Sequence, residues 1–300
     1  MHTTPIQFRS HDDLSLVADR WGPDDGPDVL LLHGGGQSRH AWKNTGEVLA
    51  AKGFRVTAVD SRGHGDSDWS PTGRYDMQDF GRDIVEIVAT MPEPPAVVGA
   101  SMGGMSSLLA QRFAHHQLFA SVVLVDVTPR MNLDGVARIM KFMSAHPDGF
   151  ADLDEAATAI AGYNPHRDKP RSSAGLERVL RQSDNGRWAW RWDPKFVTWR
   201  QEQNSASPTG FQDRMDRMAL EMYEGADAVE GPILLVRGQQ SDLVSEEVAE
   251  EFRARLPNAA YVDIRGAGHM VAGDDNDAFT NAVAGFLNAA HASKRSNTGL

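Results

Sequence analysis

The sequence predicts a doubly wound α/β domain, a mostly parallel sheet with helices on both faces, into which a helical cap is inserted. Three observations carry this. Apolar runs without polar alternation recur at residues 29–32, 121–125 and 233–236, as strands covered on both faces of a parallel sheet require. Helix-like stretches with short connections alternate with them. That rhythm stops for about a hundred residues after Pro129 and then resumes.

Taken in order, an antiparallel hairpin comes first, residues 6–8 and 14–18 around the polar turn 10–13. A turn at 22–27 leads to the strand 29–32, which ends in His33-Gly34-Gly35-Gly36. A helix over 39–51, a strand over 54–59 and a loop over 60–67 follow, then a helix over 76–89 with Phe80, Ile84, Ile87 and Val88 at core spacing. Next come a strand over 96–99, a helix over 105–113 and the run 121–125. Between 130 and 231 there is no convincing buried strand, only helix-like stretches, many methionines, and Trp188, Trp190, Trp192 and Trp199. Strands over 233–236 and 261–264 then alternate with helices over 245–256 and 276–290, and the polar tail 291–300 is expected to fray. The expected organisation is one core domain, 1–129 with 231–300, and a cap insertion, 130–230.

Composition narrows the function classes. A chain of 300 residues with 41% hydrophobic and 24% charged residues can bury a large core and has the make-up of a soluble globular protein. The formal charge of −11 argues against nucleic acid or an anionic membrane as a partner, since phosphate binding needs clustered Lys and Arg. Without cysteine there is no disulfide, thiolate nucleophile or thiolate-held zinc. The N-terminus carries no signal-peptide pattern and no apolar stretch is long enough to span a bilayer, so a cytoplasmic location is expected.

The chemistry centres on Gly99-Ala100-Ser101-Met102-Gly103, set between an apolar strand and a helix. In that context the pentapeptide reads as a nucleophile elbow, with Ser101 on a strained turn and small residues where strand and helix approach. Ligands of open α/β sheets bind beyond the carboxyl ends of the strands. Five unusual loops fall at such ends: His33-Gly34-Gly35-Gly36, the 60–67 loop, Ser101, the loop to Asp242, and Gly266-Ala267-Gly268-His269. A serine hydroxyl needs a base, and the base needs an orienting acceptor. His269 is the expected base and Asp242 the expected acid, in the order Ser, Asp, His; Asp126, after the strand that follows Ser101, is the competing acid. An oxyanion calls for preorganised amides. Met102 N–H is one, and the second is expected from Gly35, ahead of Gly36.

With these motifs, and with Asp60-Ser61-Arg62-Gly63-His64-Gly65-Asp66-Ser67 and Arg237-Gly238-Gln239-Gln240-Ser241-Asp242, the chain resembles the α/β-hydrolase superfamily from about residue 6 to 290. The resemblance implies a cofactor-free serine hydrolase acting on a small-molecule ester, thioester or lactone, with 130–230 as the variable cap. Ser101 departs from the aspartate nucleophile of epoxide hydrolases and haloalkane dehalogenases. Carbon–carbon bond hydrolases resemble the chain in Ser101-Met102-Gly103-Gly104 but usually carry Trp after the catalytic histidine, where this chain has Met270; that chemistry stays an alternative. The elbow and acid loop are similar to those of cofactor-free haloperoxidases or perhydrolases, whose chemistry is also serine acyl transfer. A ligand receptor of slow turnover and an acyltransferase stay open as alternatives, as does the oligomeric state.

Gly36, Trp42, Trp190 and Met270 are the expected substrate contacts. The alternation of Trp188, Trp190 and Trp192 suits either an apolar wall for the acyl group or a surface docking the cap on the core. His33 and His64 read as loop braces, Arg39 and His40 as capping or solvent-facing residues. No metal site is expected: His115 and His116 point to different faces of a helix, and no His-Glu-x-x-His run, nucleotide fingerprint or phosphate loop occurs.

Overall fold

The computed structural model describes residues 3–163, 173–199, 208–268 and 277–298. Eight strands form one sheet in the order β1-β2-β4-β3-β5-β6-β9-β10. They are β1 (Thr4–Arg9), β2 (Ser15–Trp21), β3 (Asp28–Leu32), β4 (Arg55–Val59), β5 (Ala96–Ala100), β6 (Ser121–Val125), β9 (Ile233–Gly238) and β10 (Ala260–Ile264). Only β2 runs against its neighbours; from β4 to β10 every pairing is parallel, with Leu31 beside Ala58 on one side and Val98 on the other.

The unbroken apolar runs are buried on both faces, because alternate side chains enter two separate cores. From β3, Leu30 and Leu32 pack with Phe80 and Ile84 of α2 (Met77–Ala89) and Leu108 of α3 (Met102–Ala114). Val29 and Leu31 pack on the opposite face with Leu49 of α1 (Lys43–Ala51) and with Phe279, Val283 and Leu287 of α8 (Asp277–Thr298). The doubly wound sheet expected from the sequence is therefore the observed one. Two details differ. A 3-10 turn at Arg39–Trp42 precedes α1, and α8 continues to Thr298, through most of the tail expected to fray.

Between β6 and β9 lie α4 (Leu133–Met143), α5 (Leu153–Tyr163), a 3-10 turn (Ser173–Arg178), the short hairpin β7 (Leu180–Gln182) and β8 (Trp188–Trp190), and α6 (Pro208–Asp227). The hairpin is the structural meaning of the alternating tryptophans: Trp188 and Trp190 belong to β8, and Trp192 bridges His64. Strands this short and half-exposed give no buried apolar run to read in a sequence. The second half of α6 turns back into the main core. Met222, Tyr223 and Ala226 join the α2/α3 side, and a side chain at Gly225 would strike the Leu108 carbonyl. A second helix, α7 (Glu246–Arg255), capped by Ser245, connects β9 to β10.

Candidate active site

At the carboxyl end of β5 the chain reverses through Ser101, whose backbone sits at φ 46°, ψ −113°. A positive φ at a serine costs on the order of 1–3 kcal/mol and persists only where the surroundings impose it. Here the glycines allow the imposition. A Cβ on Gly99 would stand 2.5 Å from Gly104 N, one on Gly103 would strike the Leu32 carbonyl, and one on Gly104 would lie 2.6 Å from Val127 Cγ1. Strand, turn and helix thus touch backbone to backbone, and the Ser101 N–H is tied to Val125 O at 3.1 Å. Ser106 and Ser107 donate back to Met102 O and Gly103 O, each at 2.7 Å, and keep the first turns of α3 slim.

The turn after β3 lies against this elbow: a Cβ on Gly34 would be 3.5 Å from Ser101 Cβ. Its shape is fixed by side chains. His33 is fully buried, donates Nδ1–H to Gly34 O at 2.8 Å and accepts Ser61 N–H on Nε2 at 3.0 Å. Burial holds its pKa below the ordinary histidine value, consistent with a neutral ring. Gln37 Oε1 accepts Gly34 N–H at 3.0 Å, and His64 Nε2 accepts Gly36 N–H at 3.1 Å while its Nδ1–H faces Arg62 O at 3.0 Å. Two amides are left over: neither Gly35 N–H nor Met102 N–H has an acceptor among the described residues. Gly36 N–H, the second choice from the sequence, is spent on His64.

The two candidate acids occupy different environments. Asp126, also at positive φ (50°), is fully buried; its Oδ1 accepts Gly238 N–H at 2.9 Å and its Oδ2 accepts the Ser241 hydroxyl at 2.6 Å. Asp242 is partly exposed, and its Oδ2 accepts Arg138 Nη1–H at 3.0 Å from α4. The chain after β10 packs beside this loop, with Gln240 N–H bonded to Ala267 O at 2.9 Å and Gly238 pressed against the Gly268 carbonyl. His269 and Met270, the next two residues, lie outside the described residues.

Above Ser101 is a cavity of about 890 Å³. Its floor is Gly34, Gly35, Gly36, Ser101 and Met102; its walls come from α4, α5, the tryptophan segment and α6. Eight methionines line it (77, 102, 105, 131, 140, 143, 215 and 218). Trp190 and Trp192 both face it, stacked with centroids 6.2 Å apart, so two of the alternating tryptophans form the wall and Trp188 does not. Trp42 is a correction. It is fully buried on the far face of the sheet, 6.2 Å from the Phe279 ring, because the 3-10 turn points it into the α1/α8 core instead of the cavity. Arg39 is another. It neither caps nor faces solvent but is buried, hydrogen-bonded to Asp60 and Asp66 and ion-paired with Asp19, and so holds the 60–67 loop.

Sequence reasoning missed Gln37 as a turn brace, Phe196 against Gly35, and Arg138 on Asp242; the last joins residues 104 apart and leaves no local signal. Among the described residues one group outside the site has ligand-type side chains, His11, Asp12 and Asp83. The buried Arg62 guanidinium already bonds Asp83 at 2.6 Å and Asp12 at 2.8 Å, and supplies the positive charge there.

A model of the alpha/beta hydrolase fold matches residues 27–275. An esterase of Mycobacterium tuberculosis is 31% identical over 284 residues, spanning 91% of this chain and 86% of that protein. Its solved structure superposes with a TM-score of 0.70 at 25% identity, covering 96% of this chain and 92% of that one. A 3-hydroxybutyrate-oligomer hydrolase of Cupriavidus necator is 26% identical over 264 residues, 85% of this chain and 86% of that protein. The structure of E-2-(acetamidomethylene)succinate hydrolase matches in fold with a TM-score of 0.79 at 22% identity, covering 96% of this chain and 100% of that one. Fold and relatives define an enzyme of the α/β class. The chain belongs to the alpha/beta-hydrolase family. Among the described residues no helix is long and apolar enough to cross a membrane.

Proposed function

We propose that the protein is a serine esterase that works through an acyl-enzyme on Ser101. The observation that carries this is the pairing of a strained serine with two uncommitted amides, Gly35 and Met102, on the floor of an apolar cavity. Ser101 Oγ attacks the ester carbonyl as His269 takes its proton, and the carbonyl electron pair moves to an oxyanion held by the two amides. The tetrahedral intermediate collapses, His269 returns the proton to the leaving alcohol, and the acyl group stays on Ser101. Water, deprotonated by His269, repeats the sequence and releases the acid. Asp242 orients His269 and stabilises its charged form. Asp126 has the role of fastening the acid loop from below.

The cavity supports a substrate class as well. Methionine is unbranched and polarizable and adapts to irregular apolar shapes. A lining of eight methionines with Trp190 and Trp192 suits a large flexible acyl or aryl group more than acetate. An ester panel run on the protein and on Ser101→Ala tests the reading. Turnover is expected with the parent and at background with the variant; full turnover by Ser101→Ala would reject it.

A further inference from the structure

We infer that Arg138, carried by the cap, is a positioning residue for Asp242, so that the cap takes part in assembling the acid–base pair as well as enclosing the substrate. This rests on the reading of Asp242 as the acid. The amides best placed to support an aspartate in this loop are occupied elsewhere: Leu243 N–H and Val244 N–H both donate to Ser241 Oγ at 3.1 Å, and Ser241 in turn donates to Asp126. Among the described residues the Asp242 carboxylate has a single hydrogen-bond donor, Arg138 Nη1.

Arg138 is itself held in place. Its Nη2 donates to Tyr163 O at 3.0 Å, and its guanidinium lies 5.5 Å over the Tyr163 ring, which stacks on Phe142 at 4.2 Å. The helix beneath it is pinned to the same loop. Asn132 N–H donates to Leu243 O at 2.9 Å, Asn132 Oδ1 caps α4, and Gly135 is glycine where a Cβ would strike the Asp242 carbonyl. Arg138 follows one turn later, on the side of α4 that faces the loop. A shift of α4 thus moves the donor that fixes the carboxylate. Among the described residues the Tyr163 phenol also feels the Asp242 carboxylate, and burial together with that charge pushes it up to about 12.

The test is steady-state ester hydrolysis from pH 5 to 9 by the full chain, Arg138→Met, Arg138→Lys, Asp242→Asn and the Arg138→Met/Asp242→Asn double variant, with Tm recorded for each. Arg138 is half-exposed, so Arg138→Met is expected to fold with an unchanged Tm. Its kcat is expected to fall about five- to twentyfold, a coupling of the size neighbouring residues show. The acid limb of kcat/KM should move up by about half a pH unit as a screened positive charge is removed. Arg138→Lys should recover part of both effects, and Arg138→Met should add nothing in the Asp242→Asn background. A kcat within twofold of the parent and an unmoved acid limb would overturn the inference. If Asp242→Asn collapses activity while Arg138→Met is silent, this inference alone fails; if Asp242→Asn is silent, the reading of the acid fails and the inference with it.

Discussion

The Asp126 carboxylate accepts the Ser241 hydroxyl at 2.6 Å and the Gly238 amide at 2.9 Å, joining the end of β6 to the loop after β9 from a fully buried position. That arrangement separates the two acids by experiment. Asp126→Asn replaces an acceptor by an amide between two donors and is expected to cost about 3 kcal/mol of stability. Asp242→Asn, at a partly exposed site, is expected to keep Tm nearly unchanged and to lower kcat by roughly 10²–10⁴. Thermal unfolding and ester kinetics on the two variants check this; the reverse pattern would make Asp126 the acid.

Gly103 and the Leu32 carbonyl are in backbone contact, so the elbow has no room for a methyl group. Gly103→Ala should destabilise the chain by about 2–3 kcal/mol, in the range of overpacked sites, and reduce kcat by displacing Ser101 and Met102. Urea unfolding read beside ester turnover measures both; a stable, fully active Gly103→Ala would contradict the close approach.

Gln37 Oε1 holds Gly34 N–H and thereby the turn that presents Gly35. Gln37→Met keeps the length of the side chain and removes the acceptor. The expected result is a kcat lower by about three- to tenfold with KM little changed, because the lost order bears on the oxyanion more than on ground-state binding. Steady-state kinetics on one ester suffices.

Burial holds His33 neutral in the native state, its pKa lowered from the ordinary value of 6.5. The unfolded chain therefore takes up a proton near pH 6.5 that the folded chain refuses, and stability falls as pH drops below that point, by up to about 1.4 kcal/mol per pH unit. His40, lowered by burial and by Arg39, adds in the same direction. Urea unfolding at pH 5 and pH 7 should show the loss, and His33→Asn should flatten it by as much as one proton. An equal pH dependence in both proteins would show that His33 is not the group.

Much of this fold is legible in the sequence because its signals are local. The run 121–125 is read as a buried strand because a strand covered on both faces is apolar at every position, and the spacing of Phe80, Ile84, Ile87 and Val88 is read as a helix face because burial there follows the helical period. The elbow is legible because close backbone contact leaves glycine as its signature. The cap is less so. Trp188 and Trp190 alternate as a strand does, yet β7 and β8 are three residues each and half-exposed, and helix-like neighbours mask them. Trp42 and Arg39 lie elsewhere than the sequence suggests because both sit in a 3-10 turn, where one residue of rotation decides between cavity, core and ion pair. The Arg138–Asp242 contact depends on how α4 sits against the loop after β9, which no spacing within either segment encodes.

The Trp190 and Trp192 indoles, stacked on the cavity wall, set an expectation for specificity. Across a series of 4-nitrophenyl esters from acetate to decanoate, kcat/KM should rise with chain length until the cavity is filled, by about 0.8 kcal/mol, or fourfold, per buried methylene at most. Trp190→Ala should reduce the preference for the longer esters. A flat series would place the acyl group outside this cavity.

Ser101 as the nucleophile is the central claim. Reaction of the full chain with a fluorophosphonate probe, followed by mass spectrometry of the labelled peptide, reports it in one measurement. The predicted result is stoichiometric labelling on Ser101, absent in Ser101→Ala. Labelling at another residue, or of Ser101→Ala to the same extent, would contradict the account.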